Sequence, residues 1–457
     1  RNQEQAPYLS RAEFFSTQLP HRAARLKVVY PYFLLEGAWY LLLRGISIAY
    51  KTPSTGQTTI SSTRTVSMSI HSRARGCILG HMIGDALGAA FEGRSREGIR
   101  ELCRSIWGSP FVEDFVLAVP MGTYVPVGPD GPVGTFREAR EVDDWDFVPP
   151  GPPSDEAVRR QCARRGCYTD DTAACLALGS SIADMGGVRP SHAARRCAEF
   201  FRDNERYRGC PPTAKALMKA TLEGVPPKKT GLPPYFPFEG GSFANGGAMR
   251  ISLLPVAYRN ADASALRRAV KSAVMASHRH PEAVDFAAVQ AAAVQFVLNA
   301  HSWAEFNPLE FLDIVKRQCQ SSVMVDMVDA TKAVFIETTE AVGDRDYDND
   351  FLRVYSLIHR TRRPGSGYSF QIASVHMMPC VLWCVCRHYD NPQRAIQAAI
   401  DLGGDTDTTA CMVGAIVGAL HGEGSWCTGW ATSLENGPHG KYYALRLAEQ
   451  LADLDLM

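Results

Sequence analysis

Two short acidic segments hold most of the side chains that could do chemistry. The first reads Thr169-Asp170-Asp171-Thr172 and runs into AACLALGSSIAD; the second reads Gly403-Gly404-Asp405-Thr406-Asp407-Thr408 and runs into TACMVGAIVGALHG. They echo one another, TDDTAAC against DTDTTAC. Adjacent carboxylates repel, so a cluster of four needs a counter-charge, and hard divalent cations take oxygen ligands of this kind. No His or Cys is interleaved with the acids, which disfavours zinc and copper. Thr and Asp are also favoured helix caps, and acids suit a first helical turn. One cap accounts for one side chain, not for two carboxylates and two threonines at both places. Spacing alone leaves two readings open, a binuclear Mg²⁺ or Mn²⁺ site and a pair of ordinary acidic caps.

Helices must carry these segments, and the chain is rich in helical pattern. Residues 173–184, 191–204, 213–222, 263–277, 281–300, 308–318, 323–340, 381–388, 393–401 and 409–420 are helix candidates by apolar spacing or Ala content. Residues 73–95, RARGCILGHMIGDALGAAFEGRS, set Gly and Ala inside an apolar pattern, which suits a helix packed tightly on its neighbours. Gly414 and Gly418 read most simply as close-packing positions. Residues 103–165 are rich in Pro and Gly and read as a long loop insertion; residues 224–247 form a second loop. No strand alternation is long enough for a large sheet, and no repeat of 20–50 residues appears. The expected architecture is all-α, one large domain over residues 73–457 with loops at one end.

Composition narrows the function classes. A chain of 457 residues carries a prior of roughly two to three domains and can bury a large core without staples. Lys+Arg and Asp+Glu both number 48, which argues against binding nucleic acid or membrane through bulk charge. The 13 cysteines are scattered, with no metal-binding spacing, and read as reduced thiols in an intracellular protein. The first 72 residues differ from the rest: up to Arg75 there are ten Lys/Arg against three Glu and no Asp, and residues 52–67 are mostly Ser and Thr. This stretch reads as an upstream extension ahead of Met68, a transit segment, or a disordered tail or weak anchor. Its apolar run, residues 28–50, is interrupted by Glu36 and Arg44 and is too short to span a membrane.

Six blocks occur in an order that resembles the ADP-ribosylglycohydrolase family, the metal-dependent ADP-ribosylhydrolases. They are GCILGHMIGDALGAAFEG (76–93), YTDDTA (168–173), YRGCPPT (207–213), GGSFANGGAMR (240–250), the histidine of ASHRHPEA (276–283), and DLGGDTDTTACMVGAIVGALHG (401–422). The resemblance implies a single orthogonal helical bundle with two Mg²⁺ ions, or Mn²⁺ in their place, at the bottom of a cleft. It implies metal ligation by Thr169, Asp170, Asp171, Asp405, Asp407 and Thr408. It makes Glu92, otherwise an ordinary helix-end acid, a mobile gate able to bind a metal or exchange a proton, with Asp170 or Asp405 orienting the attacking water. Asp85 is expected to hold local geometry.

The same resemblance turns a Gly-rich turn into a diphosphate loop. Gly241, Ser242, Asn245 and Gly246, with Gly240 and Gly247, would present backbone N–H groups, Phe238 and Phe243 would stack on adenine, and Gly209 and His278 would also touch the substrate. His280 is expected to be exposed. Relatives often carry Tyr where Phe243 stands and a glycine where Cys210 stands, and the segment 367–384 matches loosely. The implied activity is hydrolysis of the C1″ glycosidic bond of ADP-ribose on a protein or small-molecule conjugate; the alternative is a silent ADP-ribose-binding or crystallin-like relative. The expected protein is a monomer without nucleic-acid contacts or stable membrane insertion. It would be cytoplasmic, or mitochondrial or otherwise organellar if the N-terminal segment is a targeting sequence.

Overall fold

Small residues at four-residue spacing decide how the first helix packs. Helix α1 (Ile70–Gly88) carries Gly76, Gly80, Gly84 and Gly88 along one side, and its mirror is Ala410, Gly414 and Gly418 on the helix Thr406–His421. A Cβ on Gly80 would collide with the backbone of Gly414, and one on Gly84 with the backbone of Ala410. Only glycine lets two helix backbones touch along this seam, as the Gly/Ala pattern suggested.

The computed structural model describes residues 68–115, 127–128, 131–132, 166–204, 208, 210–340, 347–358 and 371–457. The chain separates into two units after Arg64, and every described residue lies in the second. Gly209, most of the 103–165 stretch and the N-terminal segment up to residue 67 therefore lie outside the described residues.

The longer helices after α1 are α2 (Arg96–Trp107), α3 (Asp170–Met185), α4 (Pro190–Asn204), α5 (Pro212–Leu222), α6 (Ala263–Val274) and α7 (Pro281–Leu298). There follow α8 (Pro308–Lys316), α9 (Ser322–Glu340), α10 (Tyr347–Ile358), α11 (Ser374–His388), α12 (Pro392–Asp401), α13 (Thr406–His421) and α14 (Lys441–Asp453). Strand pairing among the described residues is confined to Val127–Gly128 against Gly131–Pro132, antiparallel, and an isolated bridge between Ala244 and Ala373. The fold is all-α. Helices α7 and α13 are buried nearly all round and form its centre. Arg73, 3% exposed, closes one end of both: its guanidinium donates to the carbonyls of Val297, Ala300 and His301 and of Ala419 and Leu420. Val297 lies in the last turn of α7, Ala419 and Leu420 in that of α13, and Ala300 and His301 just beyond α7, so the cation sits at the negative ends of both helices.

Three of these longer helices fall outside the expected set, α2, α10 and α14. The loop-rich stretch expected from residue 103 begins later, because α2 continues to Trp107 before Gly108 ends it at φ 75°. Helix α11 begins at Ser374 rather than 381 and runs through Pro379. The proline removes one N–H, yet α11 is buried along almost its whole length, and packing outweighs the lost bond. The described cysteines are free thiols, and among the described residues no helix is long and apolar enough to cross a membrane.

Candidate active site

The seam between α1 and α13 delivers carboxylates to one place. Asp85 lies in the last turn of α1, Glu92 just beyond it, and Asp405 and Asp407 at the start of α13. Gly403 and Gly404, at φ 75° and 77°, let the chain turn sharply into α13. The carbonyl of Gly404 accepts from Gly93 N–H at 2.8 Å and its N–H donates to Arg94 O at 2.9 Å, which locks this turn beside Glu92. Asp85 is fully buried and orients the other acidic segment: it accepts from Thr169 N–H at 2.8 Å, Thr172 N–H at 3.0 Å and Thr172 Oγ1 at 2.6 Å. Thr169 caps α3, accepting from Asp171 N–H and donating to Asp171 Oδ2 at 3.1 Å.

A cavity of about 480 Å³ opens on both acidic segments, a size ordinary for a small-ligand site. Glu92, Thr169, Asp170, Asp171, Asp405, Asp407 and Thr408 all line it. Glu92, Asp405 and Asp407 each place an oxygen within 4.8 Å of the other two. The closest set thus joins Glu92 to the second acidic segment, with Asp170 and Asp171 in the lining of the same cavity.

Every carboxyl here is pushed above its ordinary range. Burial is the first cause throughout; repulsion from Asp405, Asp170, Asp171 and Asp85 adds to it at Glu92, and from Glu92, Asp171, Asp405 and Asp85 at Asp407. Asp170 is pushed up to about 7, by burial and then by Asp85. Asp171 rises for the same reasons, while Asp85 and Asp405 also rise but are partly held down by the hydrogen bonds they accept. Buried carboxylates this dense are costly without a compensating cation. The donors are carboxylate and hydroxyl oxygens, the set that suits Mg²⁺ or Mn²⁺. Ordinary capping explains Thr169, but leaves six crowded carboxyls unexplained.

The loop 236–250 adjoins the acids and lines the same cavity. Phe238 is 50% exposed at the mouth, Phe243 is half-buried, and their ring centroids are 5.8 Å apart. Ser242, Asn245, Gly246 and His278 line the cavity. Three expectations need correction. Gly241 does not line the cavity: it backs onto Arg279, and its N–H donates to Phe238 O at 2.9 Å, so it has none to give a phosphate. The N–H of Asn245 is engaged by Ile372 O, and its side-chain amide donates to Asp405 Oδ2 at 2.6 Å. Asn245 therefore orients a carboxylate, and of the residues expected to offer a backbone N–H to a phosphate, Ser242 and Gly246 remain in the cavity lining. His280 is half-buried rather than exposed: it caps α7 and stands edge-on to Phe243 at 6.0 Å.

Other residues at the site escaped the sequence. Arg208 and Glu435, each 5% exposed, form a two-pronged ion pair at 2.5 and 3.1 Å. Arg208 also lies 3.6 Å over the Tyr168 ring and donates to Tyr168 O, while Asp170 N–H donates to Arg208 O at 2.8 Å. Tyr168 N–H donates to Glu435. This knot fixes the backbone that feeds α3, and its one visible signal was the arginine inside YRGCPPT. Arg250 ends the GGSFANGGAMR block and lines the cavity. An apolar flank from α4 and α5, including Cys197, Phe200, Phe201, Leu217 and Met218, left no sequence signal distinct from ordinary core.

Comparisons with known proteins bear on the family and the fold. The chain is 27% identical over 380 residues to ADP-ribosylhydrolase ARH3 of Gallus gallus, covering 79% of this chain and 89% of that protein. To ADP-ribosylhydrolase ARH3 of Homo sapiens it is 25% identical over 386 residues, covering 80% and 89%. A solved structure titled "ADP-ribosylglycohydrolase-related protein complex" matches the fold with a TM-score of 0.53 at 19% identity, over 85% of this chain and 99% of that one. The ADP-ribosylglycohydrolase family model matches residues 67–456, nearly the whole of the described unit, and the chain belongs to the ADP-ribosylglycohydrolase family.

Proposed function

We propose that this protein is a Mg²⁺-dependent hydrolase, able to use Mn²⁺, that cleaves the C1″ glycosidic bond of ADP-ribose attached to a protein side chain or a related small conjugate. The observation that carries the reading is convergence: two acidic segments far apart in sequence meet on one cavity, which the aromatic and Gly/Ser loop also lines. Thr169, Asp170, Asp171, Asp405, Asp407 and Thr408 would hold two metal ions, with Glu92 close enough to join them. When bound, such ions supply Lewis-acid polarisation of ribose hydroxyls and acidify water.

The chain's own residues do the rest. Cleavage at C1″ builds positive charge on the ribose, as in other glycoside hydrolyses, and the surrounding carboxylates face that charge. Glu92, lining the cavity beside Asp405 and Asp407, would exchange a proton with the departing atom. Asp405, oriented by Asn245 and Thr408, would position the attacking water, with Asp170 in the same cavity lining. Ser242, Gly246 and His278 would hold the diphosphate, and Phe238 and Phe243 the adenine. The partner is an ADP-ribosylated protein or ADP-ribosyl small molecule.

Separately prepared arginine- and serine-ADP-ribosyl peptides, incubated with purified protein and Mg²⁺, test the reading and name the scissile bond. Free ADP-ribose should appear from one of them. Tight binding of ADP-ribose without release from any conjugate would identify a silent binding relative instead.

A further inference from the structure

Two turns carry the acids that stand closest together, and charged residues behind them tie the turns to each other. Glu92 lies in the turn that follows α1, Asp405 in the turn that leads into α13, and Glu92, Asp405 and Asp407 each place an oxygen within 4.8 Å of the other two. Four residues beyond Glu92 stands Arg96; four residues before Asp405 stands Asp401, the end of α12. Arg96 Nε donates to Asp401 Oδ2 at 3.1 Å. Arg100, one turn further along α2, donates from Nε to Oδ1 at 2.7 Å and from Nη2 to Oδ2 at 2.8 Å. A two-pronged guanidinium pair fixes direction as well as distance. The side chains of Arg96, Arg100 and Asp401 are 7%, 14% and 12% exposed, so salt and water screen them little.

The backbone repeats the tie. Gly93 N–H donates to Gly404 O, Gly404 N–H donates to Arg94 O, and Thr406 Oγ1 donates to Gly88 O at 2.8 Å. A Cβ on Gly403 would stand 2.8 Å from Arg94 O, so the two turns lie in direct backbone contact. Phe91, fully buried, pins the Glu92 turn to the core from the other side. The acids push the opposite way, because Glu92, Asp405 and Asp407 repel one another when ionised. The ion pair and the backbone bonds oppose that push.

We propose that Arg96 and Arg100 are positioning residues: by clamping Asp401 they hold the Glu92 turn against the Asp405 turn, keep Glu92 beside Asp405 and Asp407 ahead of cation binding, and confine movement of Glu92 to its side chain. That a divalent cation binds these acids rests on the reading above; the clamp does not.

Backbone hydrogen exchange in the metal-stripped full chain reads the clamp alone. Arg100→Met keeps the apolar stem and loses the fork. It should speed exchange by about tenfold or more at Gly93 and Gly404 and leave the amides of α7 and the middle of α13 unchanged. An even rise over the whole domain, or no local rise, would overturn the proposal. Calorimetric titration with Mg²⁺ then separates a clamp from simple charge. Asp401→Asn removes a negative charge and Arg100→Met a positive one, so a through-space effect alone would weaken Mg²⁺ binding in the first and tighten it in the second. The clamp predicts binding about tenfold weaker in both, and tighter binding in Arg100→Met would refute it. In a Glu92→Gln background Arg100→Met should cost less than about threefold, because its effect passes through Glu92. The same loss in both backgrounds would count against the clamp. If Arg100→Met does not fold, Arg96→Met, which leaves the Arg100 fork in place, carries the same expectations. A wild type that binds no Mg²⁺, while Gly93 and Gly404 still exchange faster in the variant, would defeat the metal reading and leave the clamp standing.

Discussion

Single side chains at this site divide by what they touch. Asn245 stands in the Gly-rich loop that sequence assigns to the diphosphate, yet its amide is spent on Asp405 at 2.6 Å. Groups that hold a ligand in place usually matter to metal affinity or activity by about 10–100-fold. Asn245→Ala should weaken Mg²⁺ binding by that amount, read by calorimetry, with ADP-ribose affinity in metal-free protein nearly unchanged; the opposite pattern would return Asn245 to the substrate. Phe243 makes the contrasting case, since its half-buried ring sits between Phe238 and His280 and carries no group that moves a proton. If it stacks on adenine, Phe243→Ala should weaken ADP-ribose binding roughly tenfold to a hundredfold, from about 1–3 kcal/mol of stacking. Turnover at saturation should change much less. Unchanged affinity with a large drop in melting temperature would make Phe243 a core residue.

Elements decide whether those side chains meet. The α1–α13 seam brings Asp85, Glu92 and Asp407 together because backbones touch at Gly84 and Ala410. Gly84→Ala places a methyl inside that contact and should destabilise the protein by about 1–3 kcal/mol, read as a lower urea midpoint. It should also depress activity in the protein that remains folded, because Asp85, the next residue, orients Thr169 and Thr172. Stability lost with activity per folded molecule intact would separate the seam from the site. Much of this level was legible: glycine at 76, 80, 84 and 88 announces close packing, and apolar spacing marks α3 to α9. What was not legible has physical reasons. Pro379 reads as a break, but burial around α11 outweighs one missing N–H. Arg208 and Glu435 meet across 227 positions, a pairing that no local pattern encodes. Gly241 and Gly246 look alike in sequence, and only the fold shows that one N–H is consumed in a turn while the other glycine faces the cavity.

At the scale of the whole molecule, the described unit is one all-α body whose family match spans residues 67–456. Helix α1 starts at Ile70, capped by Ser69, and Arg73 already binds the ends of α7 and α13. We therefore propose that residues 1–67 are dispensable for chemistry: a chain beginning at Met68 should melt and turn over as the full chain does, and loss of either would make that segment part of the domain. The two acidic segments and their order were readable from residue types alone; their convergence was not, because a sequence carries spacing and not proximity. Six raised carboxyls around one cavity leave a charge problem that a divalent cation would solve. The most direct measurement is release of free ADP-ribose from the preferred ADP-ribosyl peptide by metal-stripped protein as Mg²⁺ is titrated back. The account predicts no turnover without metal, saturable recovery with Mg²⁺ or Mn²⁺, and no recovery in Asp407→Asn at the same concentrations. Full turnover in the stripped protein, or wild-type recovery in Asp407→Asn, would contradict it.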